Sequence, residues 1–176
     1  WGITSGSHDS SLAVFKNNEL LFAGHAERYS RIKNDSLLNT SIVQEAIEYG
    51  EPNSIYWYED TLLKRTRQLY AKQWATAFKK PSPRQQLKAV GVDTDDGFGG
   101  EEILAGITFP FIKNAMHHES HAAAGYFTSP FTESAVLVID SIGEWESLSI
   151  WSGNGKRLKK VFSQSYPHSI GLWYSA

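Results

Sequence analysis

An α/β fold made of two related halves is the architecture this sequence predicts. A pattern of strand, small polar turn, strand, hairpin and strand runs over Trp1–His25 and returns over Val136–Gln164, with Gly6-Ser7-His8-Asp9 in the first copy answered by Asp140-Ser141-Ile142-Gly143 in the second. Helical periodicity follows each copy. The apolar run Ala135-Val136-Leu137-Val138-Ile139 has the character of a buried strand and ends on a carboxylate, Asp140. That is where open α/β sheets deliver side chains into a ligand crevice.

The elements follow in order. Trp1–Ser5, Ser11–Phe15 and Leu20–His25 read as strands, the last two joined by the hairpin turn Lys16-Asn17-Asn18-Glu19. Glu27–Asp35 is dense in charge and reads as a solvated loop. Asn39 or Thr40 caps a helix to Tyr49, with Ile42, Val43, Ala46 and Ile47 on its inner face. Ser54–Tyr58 is a fourth strand. Thr61–Val90 looks helical, broken at Pro81 and Pro83, and carries Lys64, Arg65, Arg67, Lys72, Lys79, Lys80, Arg84 and Lys88. Its aromatics Tyr70, Trp74 and Phe78 fall at i, i+4, i+8, which predicts a packing stripe with the charges as its wet face rather than a nucleic-acid surface. Asp93, Asp95, Asp96, Glu101 and Glu102 lack the spacing of a calcium loop and read as a surface connection. Beyond Asp140, Glu146–Trp151 and Arg157–Ser163 form a hairpin around Ser152-Gly153-Asn154-Gly155.

The chemistry is concentrated in Asn114–Phe127, NAMHHESHAAAGYF. His117 and His121 stand four residues apart, which on a helix puts both rings on one face with Cβ atoms roughly 5–6 Å apart. The Ala122-Ala123-Ala124 run favours helix. With Asp140 these histidines make a reasonable, incomplete set of metal ligands, for which Fe(II), Mn(II) and Zn(II) are all chemically compatible. His118 and Glu119 lie between the two ligands, as supporting or solvent-facing groups. The order of residues in HHESH excludes an HExxH metalloprotease.

Composition bounds the function. The chain has 176 residues, 41% hydrophobic, with six Trp, enough for one ordinary domain or a piece of a larger one. A net charge of −2 gives no argument for nucleic acid or an anionic membrane. The absence of cysteine excludes disulfide and thiol chemistry and fits a cytoplasmic setting. There is no signal peptide and no apolar run of membrane-spanning length. A start at Trp1, inside a strand, and a helix-like pattern at Trp173–Ala176 point to a segment of a longer polypeptide.

The repeat of two β-hairpin-β units, each followed by helix, suggests the duplicated ribonuclease-H-like fold of the actin-like ATPase superfamily. The first half would occupy about residues 1–130 and the start of the second about 131–176. In that architecture the turns carrying His8 and Asp140 face a nucleotide cleft, which makes Ser141 and Gly143 candidate nucleotide-binding positions.

GSHDSSLAVF, HAERYSRIKND, NAMHHESHAAAGYFTSPF, AVLVIDSIGEW and SYPHSIGLWYSA, in this order, resemble the N-terminal part of the NodU-type O-carbamoyltransferases. The segment Thr61–Glu102 carries none of the resemblance. The resemblance implies an N-terminal domain like that of the tRNA threonylcarbamoyl-transfer proteins. It also implies a C-terminal YrdC-like domain, absent here, that makes carbamoyl adenylate from carbamoyl phosphate and ATP. The N-terminal domain then moves the carbamoyl group to the hydroxyl of a small-molecule acceptor. It implies iron at His117, His121, Asp140 and a further aspartate beyond Ala176, and it sets His8 and Lys33 near the transferred group as catalytic residues. The implied partners are the acceptor and the remaining C-terminal part of the same chain, with neither nucleic acid nor membrane. Two alternatives stand beside it: a phosphotransferase of the actin-like superfamily, in which Asp140 or Asp9 serves a metal-nucleotide complex, and an inactive nucleotide- or metal-binding module.

Overall fold

The computed structural model describes residues 1–79, 81–93 and 111–175. In chain order the elements begin with β1 (Gly2–Thr4), β2 (Ser11–Lys16), β3 (Glu19–His25), α1 (Ala26–Ser30), α2 (Thr40–Tyr49), β4 (Ser54–Trp57), α3 (Thr61–Tyr70), α4 (Trp74–Lys79) and α5 (Pro83–Ala89). They continue with β5 (Phe111–Asn114), α6 (His117–Phe127), β6 (Glu133–Ile139), β7 (Glu146–Asn154), β8 (Arg157–Ser165) and α7 (Ile170–Tyr174). They form two compact units, one of Trp1–Tyr58 with Lys79–Asn114, the other of Glu59–Phe78 with Ala115–Ala176.

The first unit is built on a mixed five-stranded sheet in the order β3-β2-β1-β4-β5. The first two pairings are antiparallel and the last two parallel. Asn17 and Asn18 both adopt positive φ, the left-handed pair that a two-residue hairpin requires, so β2 turns tightly into β3. Alternation along the strands sends Ile3, Leu12, Val14, Ile55 and Trp57 inward, where Ile42, Val43 and Ala46 of α2 and Leu87 of α5 meet them. Fully burying Ile42 or Ile55 contributes about 1.5–3 kcal/mol each. Helix α2 starts at Asn39, whose Oδ1 accepts from Ile42 N at 3.1 Å while its Nδ2 donates to Ala26 O at 3.0 Å.

The second unit carries a three-stranded antiparallel sheet, β6-β7-β8, with α6 against β6 and β7. Ala122, Val138 and Trp151 form its small core, with Val136 and Leu158 beside them. His118, Ala122 and Tyr126 are the buried line of α6, spaced i, i+4, i+8. Gly153 leaves room for the Tyr126 ring, and the Tyr126 hydroxyl donates to Thr132 O at 2.8 Å.

Several expectations are corrected. The charged segment after β3 begins as helix α1, because Ala26 is buried and its amide donates to Ser10 O; the chain leaves the helix at Arg31, which has a φ of 60°. Ile47 of α2 points outward. The aromatic stripe does not form: Tyr70, Trp74 and Phe78 are 68%, 60% and 75% exposed. The helix ends after Tyr70 and restarts at Trp74, with Lys72 at positive φ between, so the i, i+4, i+8 spacing never runs along one continuous helix. Arg67, expected on the wet face, is buried, its Nε donating to Glu144 O and its Nη1 to Gln73 Oε1. The run before Asp140 is buried on one face only: Val138 is inside, whereas Leu137 and Ile139 are exposed. The second hairpin turns at Gly155-Lys156, and Ser152–Asn154 still belong to β7. Strand β5 has too mixed a pattern to have been read from sequence. Asp95, Asp96, Glu101 and Glu102 lie outside the described residues.

Candidate metal centre

Helix α6 advances 100° per residue, so with His118 buried against the sheet, His117 and His121 share a face turned by that angle toward its edge. Strand β6 supplies the third group by alternation. Val138 faces α6, and Asp140, two residues on, emerges on the same side. His117 Nε2 lies 2.7 Å from Asp140 Oδ2, and His121 Nε2 lies 3.1 Å from His117 Nε2. The three ligand atoms all fall within 4.8 Å of one another, and no other such group occurs among the described residues.

Two of the three separations, 2.7 and 3.1 Å, are close to those of atoms that share one cation, and the third, between His121 and Asp140, lies within 4.8 Å and would have to shorten around one. Ligand atoms about 2.0–2.1 Å from a shared metal at angles of 90–109° are about 2.8–3.4 Å apart. The 2.7 Å pair also has ordinary hydrogen-bond length. A single Nε2 carries either a proton or a lone pair, so His117 cannot serve both the carboxylate and the second imidazole with well-directed bonds; a cation between them lets all three atoms offer lone pairs. The electrostatics agree. The Asp140 carboxyl is held down at about 2, first by the hydrogen bond from His117, against desolvation, and then by the Ser141 amide. Burial lowers His121 below the ordinary histidine value, and His117 beside it adds to the effect. Both shifts favour the ligating forms, an ionised carboxylate and a neutral imidazole.

The turn after β6 is fastened on both sides. Ser141 N donates to Asp140 Oδ1 at 2.6 Å, and Ser169 Oγ donates to Ser141 O at 2.6 Å. A side chain at Gly171 would collide with the backbone of Asp140 and Ser141, so α7 lies directly on that peptide. Gly143 packs where a Cβ would stand 3.1 Å from His117 Cδ2 and 3.2 Å from His117 Cβ. Ser141 and Gly143, the nucleotide-binding candidates, thus belong to the turn that carries Asp140; the Gly143 amide bonds to Glu146 O at 2.8 Å.

His118 is fully buried, not solvent-facing. Trp151 Nε1 donates to Ser149 Oγ at 2.8 Å, so the Ser149 hydroxyl proton is free to donate to His118 Nδ1, also at 2.8 Å. Glu119 is exposed. Sequence reasoning missed Glu144, a carboxylate 3% exposed whose oxygens accept from His117 N at 2.9 and 3.1 Å and from Asp60 N at 2.7 Å. Its one local signal is the glycine before it, packed against His117; the partners lie 27 and 84 residues away, beyond any periodicity.

His8 and Lys33 belong to the first unit. His8 is exposed, with Nδ1 2.8 Å from Asp9 Oδ2. Lys33 is 83% exposed, with Nζ 3.5 Å from Glu27 Oε2. The segments that carry them run side by side: Gly6 N donates to Ser36 O at 2.7 Å and Ser10 N to Asp35 O at 2.8 Å. Gly6 and Asp9 take positive φ to make that turn.

The family described as "Carbamoyltransferase N-terminus" matches residues 1–176, the whole chain. The chain belongs to that carbamoyltransferase N-terminal family. It is 32% identical over 190 aligned positions to the uncharacterized protein sll1178 of Synechocystis, covering 99% of this chain and 30% of that protein. It is 25% identical over 177 positions to the nodulation protein NolNO of Sinorhizobium fredii, covering 95% of this chain and 24% of that one. The chain spans less than a third of the length of these relatives. No helix among the described residues is long and apolar enough to cross a membrane.

Proposed function

We propose that this chain is the N-terminal, carbamoyl-transferring part of an O-carbamoyltransferase, which moves a carbamoyl group from carbamoyl adenylate to the hydroxyl of a small-molecule acceptor. The observation that carries this is the convergence of His117, His121 and Asp140 in a chain matched from end to end by a carbamoyltransferase family. In the transfer, the acceptor oxygen forms a bond to the carbamoyl carbon, the bond from that carbon to the phosphate oxygen breaks, and AMP departs. The hydroxyl proton needs an acceptor. An ionised Asp9 only accepts hydrogen bonds, so His8 Nδ1 carries the proton toward it, and His8 Nε2 is left with the lone pair that a base requires. Lys33 offers a mobile positive charge to the carbonyl oxygen or the departing phosphate. His117, His121 and Asp140 would hold a divalent metal, Fe(II) first among Fe(II), Mn(II) and Zn(II), which supplies Lewis-acid stabilisation of phosphate charge when bound. Ser141 and Gly143 belong to this reading as the turn facing the nucleotide.

The same reading takes the fold as the duplicated ribonuclease-H-like architecture, with a first half at about 1–130 and the start of a second at about 131–176. Support comes from β1-β2-β3 and β6-β7-β8, each an antiparallel meander. In the first, β1 gains parallel β4 on its outer edge; β6 has no such neighbour among the described residues. The row Leu137, Ile150 and Phe162 crosses the sheet in register and is exposed. With relatives more than three times as long, the occupant we assign to that edge and face is the remaining polypeptide of the same chain, which also brings the YrdC-like domain that makes the adenylate.

The test is an assay of the full-length protein with carbamoyl phosphate, ATP and a panel of hydroxyl acceptors. AMP release and a carbamoylated acceptor, both lost in His117→Ala, are expected. ADP with a phosphorylated acceptor would return the chain to the phosphotransferase reading, and no turnover together with no metal binding would return it to an inactive module.

A further inference from the structure

We infer that Glu144 is a positioning residue for the metal centre, setting His117 against Asp140 through the backbone; this rests on the metal reading above. Helix α6 runs from His117 to Phe127, and its N-cap, Met116, makes no side-chain capping bond. The first amide of the helix, that of His117, would otherwise be one of its orphan donors. Glu144 satisfies it with both oxygens and, with Oε1, also takes the amide of Asp60, the residue that caps α3. One buried carboxylate thus bridges two helix N-termini, where the positive end of each backbone dipole favours it.

The placement matters because Glu144 stands four residues after Asp140, on the same turn. The turn is pinned at its near end by Ser169 on the Ser141 carbonyl and Gly171 on the Asp140-Ser141 peptide, and at its far end by Glu144 on the candidate ligand helix. Arg67 Nε fixes the Glu144 carbonyl as well, at 3.2 Å. Between the pins, Gly143 allows contact with His117 itself. The two ligand-bearing elements are therefore tied through Glu144 even with no metal between the side chains. Removing such supporting groups elsewhere weakens metal sites ten- to hundredfold. A glutamine in its place can keep its one accepting oxygen at the Oε1 position, but it then sets an NH2 group where Oε2 stands 3.1 Å from the His117 amide, and it removes the charge that the two helix N-termini favour.

The experiment is Co(II) titration of the full-length protein and its Glu144→Gln and Glu144→Asp variants, read by affinity and by the visible Co(II) absorption band, beside melting of the metal-free proteins. Glu144→Gln is expected to bind ten- to hundredfold more weakly with an altered band. Glu144→Asp, charged but one methylene too short to span both amides, should fall between the two, and it carries the test alone where the glutamine variant does not fold. Lower melting temperatures with wild-type affinity and band would make Glu144 merely structural and overturn the inference, as would wild-type binding by Glu144→Asp. Failure of the wild-type protein to bind Co(II) would instead overturn the metal reading beneath it.

Discussion

Asp140 would tie stability to ligation in one side chain under the proposed reading. Its folded value of about 2 lies below the unfolded value of 3.8, so its contribution is complete above about pH 4 and is lost as pH falls through about 2. Solvent screening of the half-buried group brings the size to about 1 kcal/mol. Asp140→Asn should remove that acid-side slope in the metal-free protein and abolish metal uptake at neutral pH, checked by urea melts across pH 2–5 and by metal analysis. His121 works in the opposite sense. Its lowered value means that the unfolded chain takes up the proton first, so its contribution erodes below the ordinary histidine range, and the partly desolvated ring of this otherwise exposed residue keeps its lone pair to lower pH than a fully solvated histidine would. Lys33 makes a separate prediction. Lys33→Ala should lower turnover of the full-length protein roughly 10²- to 10³-fold, the cost of an oxyanion donor, with metal content unchanged. The clustering of His117, His121 and Asp140 was legible because helical spacing and a strand-end carboxylate are local patterns. Glu144 and the burial of His118 were not, since both depend on residues brought together by the fold.

At the scale of elements, α2 rests on Asn39, which caps the helix and also bonds Ala26 O. Asn39→Ala should cost about 1–2 kcal/mol in denaturant unfolding, the upper part of the capping range, because both bonds go at once. The proposed metal binding, whose candidate ligands lie in the second unit, should be unaffected. The strands β1 to β4 and helix α2 were readable from apolar periodicity and a cap, and helix α6 from its Ala122-Ala123-Ala124 run and the spacing of its histidines. The helix α3 and α4 pair was misread because the break at Ala71–Gln73 carries neither glycine nor proline; Lys72 takes the left-handed conformation that usually announces a turn through those residues. Strand β6 was read as buried because its sequence is apolar on both faces, and only α6, packed on one of them, distinguishes Val138 from Leu137.

For the molecule as a whole, the exposed face of β6-β7-β8 sets the expectation. If the remaining polypeptide covers it, backbone amides at the β6 edge should exchange with solvent more slowly in the full-length protein than in a fragment of residues 1–176. Equal exchange would leave that face without the assigned occupant. The fragment alone should also fail to make a carbamoylated product from carbamoyl phosphate and ATP.

The alternation along β6 has one more consequence. Val136, Val138 and Asp140 share a face because they are separated by even steps, so hydrophobic core and candidate metal ligand are written in the same parity. A single residue inserted between Val138 and Ile139 must be absorbed on one side or the other. Absorbed upstream, it turns Val136 and Val138 out and Ala135 and Leu137 in; absorbed downstream, it turns Asp140 away from the histidines. Either stability or metal binding must suffer, whereas two inserted residues restore the parity. A strand of this kind admits changes of residue far more readily than changes of length.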